Sequence, residues 1–368
     1  MRVSPVSKPA SGIENLLRPT CHLLSLHGIV TITPYGGTVP LTVGDLSESA
    51  LLERIFPRLA RAEAAVVGPG DDAAVLAAPD GRTVISIDTL VQDKDFRLLR
   101  ENGFTTTGYD VGWKCAAQNL SDINAMGARA TSLVVSLTLP ADIAVEWVEA
   151  LADGLTDAIE QLGATGCGVI GGDLGGGTQI VVTAAVTGTL EGRAPVLRSG
   201  AQPGDVVALA GTAGRAAAGL ALLESGTALE DLGEEELGLI ATQCRPEPPL
   251  AAGPEAARAG ARAMLDISDG LIRDAGRIAK ASSVAIDFAP EVLRGLAEPL
   301  QSAGRLLGKN PLEWVLGGGE DHGLLAVFGP EIKLPSGFTA VGSISAGTPR
   351  VTVGSQAPAS IGWDHFAH

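Results

Sequence analysis

Two adjacent carboxylates, Asp71 and Asp72, follow the turn Gly68-Pro69-Gly70 and run into an apolar segment, Ala73-Ala74-Val75-Leu76, that reads as a strand. Neighbouring carboxylates repel each other unless a cation or solvent screens them. Mg²⁺ prefers oxygen ligands and takes one or two carboxylates from any one stretch, filling its shell with water and phosphate. Further acids are therefore expected in other turns. Ser86-Ile87-Asp88-Thr89, Asn119-Leu120-Ser121-Asp122, Gly171-Gly172-Asp173 and Asp266-Ile267-Ser268-Asp269-Gly270 each place one at the end of an apolar run. Such a set suits metal-bridged phosphates.

The chain lacks G-x-x-x-x-G-K-[ST], so the usual P-loop is absent. The run Gly171–Gly177 could cradle phosphate with its backbone N–H groups, or be a flexible hairpin. In Asp266–Gly270, Ser268 or Asp269 can cap the helix that follows. One cap suffices, which leaves the other polar groups for a metal–phosphate assembly. Gly317-Gly318-Gly319 lets Glu320 project into a cleft, while His322 is a base or a structural hydrogen-bonder. No Ser–His–Asp or Cys–His set can be assembled. A metal-rich, base-poor site leans towards phosphate as the nucleophile, because phosphate is already ionised at neutral pH.

A net charge of −16 argues against nucleic acid or an anionic membrane as the main partner. The four cysteines, 21, 115, 167 and 244, form no C-x-x-C pair, which disfavours zinc, iron–sulfur and disulfide frameworks. With no uninterrupted apolar stretch of membrane-spanning length and no compact apolar leader, a cytoplasmic location is expected.

The elements that must position these acids follow from periodicity. Helices are expected at Glu48–Leu59, Tyr109–Met126, Val145–Leu162, Gly214–Glu224, Pro254–Met264 and Leu271–Ala281. Strands are expected at Arg82–Asp88, Thr131–Leu139, Val169-Ile170, Gln179–Thr189, Asp205–Ala210, Val284–Phe288, Gly323–Phe328 and Phe338–Ile344. Ala228–Glu247 reads as a charged surface region. Asp122 falls near a helix C-terminus, a poor place for an uncompensated anion. A nearby cation would relieve it. Residues 1–43 read as a loosely ordered extension, and the junction at Glu191–Gly204 divides the rest into 44–192 and 193–368. Strands mixed with long helices mark an α/β or α+β protein.

Taken in order, Gly-Pro-Gly-Asp-Asp-Ala-Ala, Asn-Leu-Ser-Asp-Ile-Asn-Ala-Met-Gly-Ala, Gly-Gly-Asp, Arg-Ser-Gly-Ala-Gln-Pro-Gly-Asp, Asp-Ile-Ser-Asp-Gly-Leu and Gly-Gly-Glu-Asp make the chain resemble the thiamine-monophosphate kinases. These belong to the aminoimidazole-ribonucleotide-synthetase-like superfamily. The resemblance implies an α+β fold of two α/β domains, with mixed sheets packed by helices. It implies N-terminal sheets that pair in a homodimer and a C-terminal domain that completes the cleft. It also implies ATP-dependent phosphorylation of thiamine monophosphate with several Mg²⁺ ions. By motif position, Asp72, Ser86, Asp88, Asp122, Asp173, Asp266 and Asp269 would ligate metal. Gly172, Asp173, Arg198 and Ser268 would contact ATP, and Asp95, Glu320 and Trp363 the thiamine end. Ile87 replaces a usual Thr, Asp95 a usual His, and His322-Gly323 a usual Tyr-Glu. The alternatives are another ATP-dependent synthetase of the superfamily or a non-catalytic nucleotide-binding relative.

Overall fold

The computed structural model describes residues 40–67, 75–360 and 362–363. Most of the expected extension, the loop carrying Asp72 and the last residues of the chain lie outside these. The first half contains α1 (Glu48–Ile55), β1 (Ala65–Val67), β2 (Val75–Leu76), β3 (Val84–Val91), α2 (Gly108–Ala125), β4 (Arg129–Leu139), α3 (Val145–Gln161), β5 (Val169–Gly176) and β6 (Val181–Thr189). Its main sheet has the order β3-β6-β4-β5. β6 runs antiparallel to both β3 and β4, and β4 pairs in parallel with β5 across the α3 crossover.

The second half contains β7 (Val206–Ala210), α4 (Arg215–Glu224), α5 (Glu234–Cys244), α6 (Ala252–Ala259), β8 (Ala263–Asp266), α7 (Leu271–Ser282) and β9 (Ala285–Phe288). It continues through α8 (Pro290–Ala297), α9 (Gln301–Leu307), α10 (Pro311–Gly317), β10 (Leu324–Phe328), β11 (Phe338–Ser345) and β12 (Arg350–Val353). The six-stranded sheet is ordered β12-β9-β11-β7-β10-β8, and only the β12–β9 pair is parallel. Every residue of β10 is buried, as expected of a strand covered on both faces. The α+β class with mixed sheets is as expected.

Helix α2 is the element on which both halves rest. Thr107 and Asp110 form a reciprocal capping box at its start, with N–H···O distances of 3.2 and 3.0 Å. Nearly every residue after that is buried. Its seam with α3 is unusually close: a β-carbon at Gly108, Gly112 or Gly154 would lie 1.8, 2.1 or 2.1 Å from a backbone carbonyl oxygen of the facing helix. On the other side, Trp113 Nε1 donates to Pro246 O at 2.9 Å, and Gly253 N donates to Asn124 Oδ1 at 2.7 Å.

Three sequence expectations need correction. The region expected to be charged surface contains α5, whose Leu239, Ile240, Gln243 and Cys244 point inward. Its glutamates sit in the first helical turn, where they complement the helix dipole. The helix expected to run to Met264 stops at Gly260, which takes a left-handed φ of 87°, and the residues beyond form β8. The glycines read as a turn lie in edge strand β5. Gly172 is needed there because a β-carbon would fall 1.9 Å from Val135 O.

Candidate active site

Strand β3 reverses the usual pattern of a half-covered strand. Ser86 and Asp88 are in register with Val186 and Ala184, whose side chains are buried under the helices. Ile85 and Ile87 alternate with them and are 70% and 64% exposed. Period two therefore sends polar groups towards α2 and apolar ones outward. The Ser86 hydroxyl donates a short hydrogen bond to the Asp122 carboxylate in the last turn of α2. The preceding residue, Ser121, donates to Asp266 Oδ2 at 3.1 Å. Asp266 ends β8, and the same oxygen lies 3.3 Å from His322 Nδ1. β3, α2, β8 and the loop before β10 thus bring Ser86, Asp88, Asp122 and Asp266 together.

This cluster is short of positive charge. Burial, followed by the charge of Asp122, pushes the Asp88 carboxyl up to about 7; His322 opposes this, and Asp266 and Asp95 add to it. Burial and the charge of Asp266 also raise Asp122, against the Ser86 hydrogen bond and the charges of His322 and Arg198. For His322, burial alone would disfavour the proton. The hydrogen bond and charge of Asp266, with Glu320, outweigh it and raise the imidazole. Among the described residues, no group of three or more His, Cys, Asp or Glu side chains is already drawn into a metal cage. Hard oxygen donors carrying surplus negative charge still fit Mg²⁺, which keeps water and phosphate in most of its positions.

The other expected residues separate into distinct settings. Glu320 has a left-handed φ of 67°, and both its oxygens are engaged: Lys114 Nζ lies 2.8 Å from Oε1 and Gln243 Nε2 lies 2.8 Å from Oε2. Burial works against its charge, but the Lys114 ammonium and these hydrogen bonds prevail and hold it below the usual carboxylate range. Asp95 accepts a hydrogen bond from Val91 N at 2.7 Å and lines a cavity with Phe96, Lys114 and Gln243. Asp173 is exposed on β5, in register with Ser136, Thr183 and Thr89 rather than with Ser86 or Asp88. Arg198 is exposed in the segment between the halves. Ser268 is half-buried, and its carbonyl accepts from Glu320 N at 3.0 Å. Asp269 is paired with Arg277, and its carbonyl accepts from the backbone N–H of the exposed Trp363 at 2.8 Å.

Several working groups were missed in the sequence. Lys114 is only 4% exposed, and a lysine between Trp113 and Cys115 in an apolar helix was the available signal. Asp321 caps α4: its carboxylate accepts from the Thr212 hydroxyl at 2.8 Å and from the backbone of Gly214, Arg215 and Ala216 at 2.9–3.1 Å. Gln243 carries no local motif, and Arg277 only an i,i+3 spacing from Asp274.

The model of the AIR synthase related protein family, N-terminal domain, matches residues 70–190, and that of its C-terminal domain matches residues 202–328. The thiamine-monophosphate kinase of Mycobacterium tuberculosis is 43% identical over 342 residues, covering 92% of this chain and 96% of that protein. The solved thiamine monophosphate kinase of Aquifex aeolicus superposes with a TM-score of 0.67 at 31% identity, covering 76% of this chain and 90% of the other. A structure of AaThiL complexed with AMPPCP and TMP gives 0.69 at 31% identity, covering 80% and 91%. With its acids converging between two AIR-synthase-type halves, the chain belongs to the thiamine-monophosphate kinase family.

Proposed function

We propose that this chain transfers the γ-phosphoryl group of ATP to the phosphate of thiamine monophosphate, giving thiamine diphosphate and ADP. The observation that carries this reading is the half-buried pair Asp88 and Asp122 gathered beside the buried Asp266 with little positive charge to offset them. The likeness to AaThiL complexed with AMPPCP and TMP supports it.

Two anionic phosphates 4 Å apart repel by about 4 kcal/mol per charge pair at an effective dielectric of about 20. Mg²⁺ ions would offset that repulsion and stabilise the charge that spreads over the transferring group. Ser86, Asp88, Asp122, Asp173 and Asp266, with Asp72, are the residues we assign to hold them. Gly172, Asp173, Arg198 and Ser268 are assigned to ATP. Asp95, Glu320 and Trp363 are assigned to the thiamine end, where an ionised Glu320 complements the cationic thiazolium ring.

The attacking oxygen belongs to the substrate phosphate and is already ionised, so no side chain has to remove a proton. It displaces ADP in line: one P–O bond forms at the γ-phosphorus, and the bond to the β-phosphate oxygen breaks with its electron pair leaving on ADP. The contribution of the protein is positioning and charge. His322, tied to Asp266, orients that carboxylate and is not needed as a base.

We further propose a homodimer, formed over the outward face of the first sheet. Ile85, Ile87 and Val134 are 70%, 64% and 41% exposed there, and a second copy offers matching apolar surface. Ile87→Glu should shift the protein towards monomer in sedimentation equilibrium. No helix among the described residues is long and apolar enough to cross a membrane. We place the protein in the cytoplasm, where its buried thiols Cys115, Cys167 and Cys244 stay reduced.

The deciding assay measures Mg²⁺-dependent ADP release with thiamine monophosphate or free thiamine as acceptor. Release is expected with the monophosphate alone. Equal release with both, or none with either, would overturn the reading.

A further inference from the structure

The family pattern gives Asp269 a metal ion, and the surroundings of Asp269 do not fit one. Its Oδ2 is hydrogen-bonded to Arg277 Nη2, and Arg273 Nε lies 3.9 Å away. Arg277 is not free to withdraw. Its Nη1 is bonded to Asp274, a carboxylate with no exposed surface, whose other oxygen accepts from Asp269 N at 3.0 Å. One guanidinium thus bridges two carboxylates, one of them fully buried. Moving it aside would leave the buried Asp274 carboxyl without its cation, so that it would have to take up a proton. A divalent ion on Asp269 would instead sit beside a fixed cation and share its ligand with it.

We infer that Arg277 is the permanent counter-cation of Asp269, and that Asp269 takes up no metal ion in this chain. A planar guanidinium that is always charged can hold two carboxylates at once and needs no free ion to do so. The pair has a second effect. Asp269 O accepts the backbone N–H of Trp363 at 2.8 Å, so holding Asp269 in place also bears on the position of the residue assigned to the thiamine end. Arg277 is therefore a positioning residue.

This inference rests on the metal-assisted reading above, and the test separates the two. Mn²⁺ uptake by the full-length protein is counted by electron paramagnetic resonance with AMPPCP present, for wild type, Asp122→Asn, Asp269→Asn, Arg277→Gln and Arg277→Lys. Asp122→Asn should lose an ion, which shows that the count detects a lost ligand. Asp269→Asn should bind as many ions as wild type. Arg277→Gln should gain an ion or bind its weakest one at least tenfold more tightly, and Arg277→Lys should keep the wild-type count. Fewer ions on Asp269→Asn than on wild type would overturn the inference, as would an unchanged set of affinities in folded Arg277→Gln. If Arg277→Gln does not fold, Asp269→Asn decides alone. Wild type taking up no Mn²⁺ would sink the kinase reading instead, and Arg277→Gln would still have to create a site.

Discussion

Two groups of acids lie close together in this molecule and are in opposite electrostatic states. In the first, burial and then a neighbouring carboxylate raise Asp88 and Asp122, with His322 and an exposed Arg198 as the cations opposing the shift. In the second, Asp269 and Asp274 share Arg277. Burial raises Asp274 to about 7 as well, but there the next influences, a backbone N–H and Arg277, oppose the shift. In the first group the next influence is another carboxylate. The first group carries more negative charge than its neighbours offset; the second has its cation beside it. Residue type alone would not distinguish them.

Exchanging the charges should separate the two groups experimentally. The largest effect is expected for Asp122→Asn, which removes one carboxylate from the cation-poor group. Turnover should fall by about a thousandfold, roughly 4 kcal/mol of transition-state stabilisation, while the melting temperature holds or rises because a repulsion is removed. A coupled ADP assay and calorimetry check both. The mirror experiment is Arg277→Gln, which should destabilise the fold by about 3 kcal/mol in urea denaturation. That is the low end for breaking a buried pair, since the arginine keeps about a third of its surface. An Arg277→Gln protein as stable as wild type would erase the contrast.

Smaller effects test the margins. Lys114→Met removes the ammonium that keeps the Glu320 carboxylate ionised and in place, and should raise KM for thiamine monophosphate about tenfold, or roughly 1.4 kcal/mol, with less change in kcat. Lys114→Arg should recover most of the loss. The weakest signal concerns pH. The folded pKa of Asp88 lies near 7 against an ordinary 3.8, so in metal-free protein this group costs nothing below pH 3.8. Stability should then decline as pH rises from 3.8 towards 7, and level off above 7. Asp88→Asn should flatten that slope in denaturation curves. Metal affinity has the opposite sign and should weaken below about pH 7 as Asp88 takes up a proton.

Much of the first group was legible because its acids end apolar runs, although only Asp122 and Asp266 prove to lie at element ends, while β3 continues past Asp88 to Val91. Asp88, Asp122 and Asp266 were found this way, but the strand carrying Asp266 was not. The four residues Ala263–Asp266 are too few for periodicity to separate a strand from the end of a helix. Only the first two residues of edge strand β5 were read as strand, because its glycines normally signal a turn and here let two strands approach. The short helices α8, α9 and α10 were not expected; Pro290 and Pro311 occupy the first turns of α8 and α10, where proline starts a helix rather than breaking one. The Asp274–Arg277 pair is an i,i+3 spacing on one helix that the sequence reading passed over, whereas Gln243 and Glu320 are seventy-seven residues apart and only the folded chain brings them together.

The glycines between α2 and α3 carry a consequence for anyone altering this protein. That helix is seated with no clearance along one side and pinned by Trp113 and Asn124 on the other. A single methyl group at Gly112 would have to displace the whole rod, and Ser121 and Asp122 would travel with it, away from Asp266 and Ser86. A site can thus be dismantled from a distance by a change that touches none of its acids.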